Sequence, residues 1–223
     1  YEPNYVEING GRIHYVDEGK GEVILMLHGE PTWSYLYRKM ITPLRKHYRV
    51  IAMDFFGFGR SDKFTRRQDY SYLMHYGTLL RFIEKLELKD ITVVVQDWGG
   101  LIGLGVLGKH PELFKRVVIL NTSLPVGNRP MPLPFKLWQL FATYWPTFPI
   151  SRIMRFGTYR TIHKDVMRGY LAPFPNAKYK AGARAWPALV PSGPLDPGVK
   201  QMKRAREVLS NWQKPALRIE RLN

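Results

Sequence analysis

Four short apolar runs, separated by longer segments of helical period, constrain this chain more than any other feature. They are Val23–Leu27, Arg49–Met53, residues 91–95 and residues 117–120. Continuous apolar runs of this length suit strands buried on both faces of a sheet. Between them, residues 33–47 read as a helix. Residues 70–86 place Leu73, Leu79, Leu80, Ile83 and Leu86 at helical spacing, and residues 100–109 suit a helix that stops before Pro111. Strands that alternate with helices imply an α/β fold with a mostly parallel, doubly wound sheet. Ahead of this series, residues 5–8 and 12–17 flank an Asn9-Gly10-Gly11 turn, the signature of a hairpin.

The texture changes after Leu124. Residues 125–150 are dense in proline and aromatic side chains, and the chain from there to Trp212 reads as helical with proline-rich breaks. Only Ala216–Ile219 looks strand-like again. The expected organisation is a core over residues 1–124, an inserted helical lid over 125–212, and a returning core strand within 213–223.

With no cysteine in its 223 residues, the chain has no disulfide scaffold, thiolate metal site or thiol nucleophile. That usage fits the cytoplasm. No apolar run reaches the roughly 18 residues of a spanning helix, so no membrane partner is expected. The formal net charge of +16 is unusual for an α/β domain. No nucleic-acid-binding motif accompanies it, and the expectation is a solvated basic surface without a nucleic-acid partner.

Chemistry in parallel sheets sits beyond the C-terminal ends of strands. Residues 91–95 run into Gln96-Asp97-Trp98-Gly99-Gly100. A sharp strand-to-helix turn there needs small neighbours, which Gly99 and Gly100 supply, and it lifts its middle side chain above the sheet. Aspartate at such a turn is either a helix N-cap or a nucleophile. As a nucleophile it would attack sp³ carbon and form an alkyl ester that water must then hydrolyse. The run Val23–Leu27 leads into His28-Gly29-Glu30-Pro31, where glycine lets the backbone approach closely. The N–H groups of Glu30 and Trp98 would then form a two-donor oxyanion hole. His28 fits a structural role in its turn better than that of a base. No metal-ligand spacing is present, and no cofactor is implied.

Four segments, residues 28–41, 53–62, 93–100 and 170–187, resemble the haloalkane dehalogenases of the α/β-hydrolase fold, and the likeness runs from about residue 5 to residue 212. The HG-x-P and DWGG pieces are shared with epoxide hydrolases. Glu30 with Trp33, and the YLAPFP segment of the lid, point to the dehalogenases. The resemblance implies attack by Asp97 on a halogenated alkane, giving alcohol and halide. It also implies that His28, Gly29, Pro31 and Gly99 shape the loops, and that the complete fold is monomeric. Halide would be held by indole N–H donors, one from Trp98. In this family the second comes from a lid Trp or from an Asn directly after His-Gly. Glu30 stands at that latter position, so a lid Trp is expected, Trp138 first and Trp145 behind it. Phe135, Phe141 and Phe148 would line the pocket. An epoxide hydrolase would instead use two lid tyrosines, with Tyr144, Tyr159, Tyr170 and Tyr179 available. Trp98 stands where fluoroacetate-type dehalogenases have arginine. A non-enzymatic alternative is a pocket that only binds small apolar ligands.

The family also carries an acid after a late strand and then a catalytic histidine, which together activate the hydrolytic water. None of the six histidines follows the lid, and the alternative acid position is occupied by Asn121. The expectation is a C-terminally incomplete fold that forms the alkyl ester and stalls there.

Overall fold

The buried runs pair into one seven-stranded sheet in the order β1-β2-β4-β3-β5-β6-β7. The computed structural model describes residues 1–128, 130–145 and 148–220. Strands β1 (Asn4–Ile8) and β2 (Gly11–Glu18) form the N-terminal hairpin. Strand β2 pairs antiparallel with β4 (Arg49–Met53). All later pairings, through β3 (Val23–Leu27), β5 (Ile91–Gln96), β6 (Phe114–Leu120) and β7 (Ala216–Ile219), are parallel.

Alternation along each strand sends side chains to two separate cores. Leu25, Leu27, Ile51, Met53, Val93 and Val95 face α2 (Tyr72–Lys85) and α3 (Trp98–Lys109). Ile24, Met26, Val50, Ala52 and Val94 face the other way, where Tyr37 and Ile41 at α1 (Arg38–Leu44) cover them. Ser71 caps α2 by accepting the Met74 N–H at 3.1 Å. Every residue of α3 from Trp98 to Gly108 is buried, as a helix apolar on all sides must be.

Between β6 and β7 lie α4 (Leu133–Tyr144), α5 (Ile150–Phe156), α6 (Lys164–Leu171), α7 (Ala181–Leu189) and α8 (Val199–Ser210). The first four sit over the C-terminal ends of the strands. Helix α8, which the sequence reading puts in the lid, packs along α3 instead. Its Val199, Met202 and Ala205 are buried, and Arg204 Nε donates to the Gly108 carbonyl at 2.9 Å. Exposed Lys200, Lys203 and Arg206 give α8 the basic texture of the lid and mask this single apolar stripe.

One buried, hydrogen-bonded carboxylate fixes the loop that follows β4. Asp54 accepts from His14 Nδ1 at 2.7 Å, from the Ser34 N–H at 2.7 Å and from the Arg60 N–H at 2.9 Å. Burial pushes the Asp54 carboxyl up, but the His14 contact and the N–H donors outweigh it and hold the pKa below the usual aspartate value. Removing the carboxylate strands the donors that point at it. Asp54→Ala should therefore cost about 3 kcal/mol or more in urea unfolding at neutral pH, at roughly 1–3 kcal/mol for each stranded partner. Because the folded pKa is depressed, that stabilisation is present above the ordinary aspartate pKa of about 4 and is lost as pH falls through the folded value. An equal loss from Asp54→Ala well below pH 4 would contradict this account.

Candidate active site

At the end of β5 the chain turns into α3 through one residue with positive φ. Asp97 has φ 51° and ψ −120°, a conformation that costs a non-glycine residue about 1–3 kcal/mol. Its carbonyl is gripped from both sides, by the Gly100 N–H at 2.8 Å and by Thr122 Oγ1 at 2.7 Å. The turn closes only because its neighbours lack side chains. A Cβ at Gly99 would overlap the Leu27 carbonyl, and one at Gly29 would overlap the Asp97 side chain. Although Asp97 occupies the N-cap position, its carboxylate makes no capping hydrogen bond to the second or third residue of α3.

That carboxylate faces the turn after β3. The Glu30 N–H donates to Asp97 Oδ1 at 2.6 Å, and the Trp98 N–H is a second backbone donor to the same group. Burial raises the Asp97 pKa, while the two donors pull it back toward the ionised form. Glu30 has no such help. Both of its carboxyl oxygens are shielded and unpartnered, and burial, followed by the Asp97 charge, lifts its pKa well above the glutamate range. The pair thus favours one negative charge, placed on Asp97.

The Glu30 turn is built by backbone contacts. The Glu30-Pro31 peptide is cis, and the Thr32 N–H and hydroxyl both donate to the Gly29 carbonyl, at 2.8 and 2.9 Å. His28 is fully buried behind it. Its Nε2 accepts the Phe55 N–H at 3.1 Å, which puts the ring proton on Nδ1 toward the Gly29 carbonyl at 3.1 Å. With both nitrogens occupied and its pKa lowered to about 4 by burial, the imidazole is neutral and tied to the loop.

Above Asp97 opens a cavity of about 590 Å³, walled by Glu30, Trp98, Phe135, Trp138 and Ile153. Trp98 stacks on Trp186, with ring centroids 5.0 Å apart. Trp186 Nε1 in turn donates to His75 Nε2 at 2.7 Å. Trp145 is exposed and lines a groove on the outside of the lid, as does Phe141, while Phe148 is buried in packing against Trp138. Of the three phenylalanines expected at the pocket, only Phe135 reaches it.

None of the four lid tyrosines lines the Asp97 cavity. Tyr144, Tyr159 and Tyr179 are exposed, and Tyr170 is held by Arg38 Nη1 at 3.1 Å beside a neighbouring cavity. Among the described residues no histidine lines the cavity, and no group of three His, Asp or Glu side chains could hold a metal ion. Two residues that sequence reasoning missed do reach the site. Thr122 braces the elbow, and Glu220, at the end of β7, joins Asn121 at the polar rim. The parallel pairing of β7 with β6 brings Glu220 there, and only the fold reveals that pairing.

A family model of the alpha/beta hydrolase fold matches residues 22–149. A haloalkane dehalogenase from Mycolicibacterium paratuberculosis is 49% identical over 211 residues, covering 93% of this chain and 70% of its own length. This chain belongs to the haloalkane dehalogenase family. Another haloalkane dehalogenase, from Psychrobacter cryohalolentis, is 43% identical over 96% of this chain and 74% of its own length. Among solved structures, the tetrameric haloalkane dehalogenase DpaA from Paraglaciecola agarilytica superposes with a TM-score of 0.93 at 37% identity. That match covers 98% of this chain and 76% of the other. Dehalogenase-family membership thus rests on whole-chain likeness as well as on the elbow.

The buried imidazoles of this dehalogenase-family chain leave a mark on its stability. Burial lowers His28 to about 4 and His75 to about 3, against about 6.5 for an unfolded histidine. Between pH 6.5 and about 4 the unfolded chain therefore binds the extra protons, so stability falls as pH falls. Each histidine adds up to about 1.4 kcal/mol per pH unit to that slope. Urea unfolding across this window should show the slope reduced by about one proton in His28→Asn. An unchanged slope would mean that His28 is not held neutral.

Proposed function

We propose that this chain acts on halogenated alkanes, with Asp97 as nucleophile. A carboxylate oxygen of Asp97 forms a bond to the halogen-bearing carbon, the carbon–halogen bond breaks, and halide leaves with the electron pair. Water then adds to the Asp97 carbonyl carbon of the alkyl ester. Alcohol departs, a proton is released and the carboxylate is restored. The Glu30 and Trp98 N–H groups stabilise the oxyanion of that second step. The indole N–H groups of Trp98 and Trp138 receive the halide, since neutral donors in an apolar pocket suit a large soft anion. His28, Gly29, Pro31 and Gly99 position the two donor loops. No cofactor is called for. The supporting observation is a single carboxylate on a strained elbow, between two backbone donors and below two tryptophans. The empty tally of cavity tyrosines argues against the epoxide hydrolase alternative.

The division of labour follows the packing. Residues 1–124 together with α8 form the core, and the lid runs from residue 125 to the turn before α8. Activation of the hydrolytic water is the step for which the described residues offer no histidine.

Bromide release from a short dibromoalkane, with intact protein mass recorded on the same sample, tests the scheme. Repeated release without an adduct is the full cycle, and one bromide per chain with an alkyl adduct is the first half alone. Either activity should vanish in Asp97→Asn, and bromide release that persists in that variant would overturn the proposal. In a separate binding titration, Trp138→Phe should weaken bromide affinity by roughly tenfold or more, the worth of one hydrogen bond to an anion. Unchanged affinity would remove Trp138 from the halide site.

A further inference from the structure

The net charge of +16 is not spread evenly. Residues 1–124 hold 17 basic and 14 acidic side chains, and several of these pair: Arg45 with Glu18, Arg49 with Asp17, and both Lys115 and Arg116 with Glu22. The lid differs. Between Glu112 and Asp165 the chain has no acidic residue, and Lys136, Arg152, Arg155, Arg160 and Lys164 are exposed there without an ion pair among the described residues.

The same surface is apolar. Leu133, Leu137, Leu140 and Tyr144 recur at intervals of four, three and four along α4, which sets them on one face. All four are exposed. The opposite face of α4 is satisfied within the protein, through Phe135 and Trp138 at the Asp97 cavity and through Gln139 Nε2, which donates to the Pro187 carbonyl at 2.9 Å. Beyond α4, Phe156 is 92% exposed and Tyr159 79% exposed. Between α4 and α5 runs a groove of about 580 Å³, walled by Phe141, Trp145, Pro149 and Phe156 and edged by Arg152. Trp138 and Ile153 line this groove and the Asp97 cavity alike, so the two spaces share a wall.

We propose that the outer face of the lid docks onto an anionic lipid bilayer, with the α4–α5 groove opening into the acyl region on the far side of Trp138 and Ile153 from Asp97. Charge complementarity selects this occupant. A second copy of the chain would set unpaired cations against identical cations, since Asp165 at the edge of the patch is already paired with Arg168. Nucleic acid would pair with the arginines but would leave the leucine face of α4 in water. An anionic bilayer takes both: phosphate headgroups meet Lys136, Arg152, Arg155 and Arg160, while Leu137, Leu140 and Phe156 enter the interface beside Trp145 and Tyr144. Tryptophan and tyrosine favour that boundary, having apolar bodies and polar edges. No helix among the described residues is long and apolar enough to span a membrane, so the contact is peripheral. Delivery of an apolar substrate through this face rests on the function proposed above, whereas the docking itself does not.

Flotation with vesicles separates the two claims, because binding is read without any bromide release. The 223-residue chain is mixed with vesicles of phosphatidylcholine alone, or of phosphatidylcholine with phosphatidylglycerol, at low and at high salt. Binding to the mixed vesicles should exceed binding to phosphatidylcholine by about tenfold or more and should collapse at high salt. Arg155→Glu should weaken it by about tenfold or more, and Phe156→Ser should weaken it independently. Circular dichroism melts confirm that both variants fold, since neither side chain is buried. Equal binding to both vesicle types, no binding to either, or variants that bind like the parent would each overturn the proposal. So would concentration-dependent dimers, or complexes with duplex DNA, that Arg155→Glu and Phe156→Ser abolish while no vesicle binding is seen.

Discussion

The contact of the α3 start with the carbonyl at the end of β3 is what the rest of the site depends on. Gly99 lies so close to the Leu27 carbonyl that any side chain there would force the strand and the helix apart. That closeness holds Asp97 at positive φ and sets its carboxylate beside the Glu30 N–H. Central β5 and β3 are buried on both faces and hydrogen-bonded to each other in parallel register, so the two turns they carry cannot drift. Strain at one residue is tolerated because the surrounding sheet over-determines it.

Burial then does the electrostatic sorting. Two N–H groups draw Asp97 toward its charged form, whereas burial, followed by the Asp97 charge, drives Glu30 toward its neutral form. Burial likewise lowers His28 and His75 and keeps both imidazoles neutral. They serve as hydrogen-bonding struts, one for the Gly29 turn and one for Trp186, which in turn backs Trp98. A layer of neutral imidazole and indole therefore packs beside the charged centre.

Much of this arrangement is legible in the sequence because it is local. The four apolar runs report strands, and QDWGG reports a turn whose backbone geometry leaves few alternatives. The HGEP turn belongs with these, since its glycine marks the close approach to Asp97. What could not be read depends on contacts distant along the chain. The docking of α8 onto α3 is hidden because one stripe of Val199, Met202 and Ala205 is outnumbered by charges. Trp138 and Trp145 share one composition-rich segment, yet α4 turns the first toward Asp97 and ends before the second. Thr122 and Glu220 carry no signal at all until the order of β5, β6 and β7 is known.

Because the donors beside Asp97 are main-chain groups, the site has an evolutionary robustness that a side-chain clamp would lack. Substitution at position 30 or 98 leaves an N–H in place, and only proline would delete one. The residue at position 97 can therefore change, and with it the kind of bond attacked, without dismantling the anion cradle. Side chains at 30 and 98 remain free to reshape the pocket by point mutation. The scaffold separates what must stay constant, written into backbone and glycine, from what can vary, written into the side chains above it.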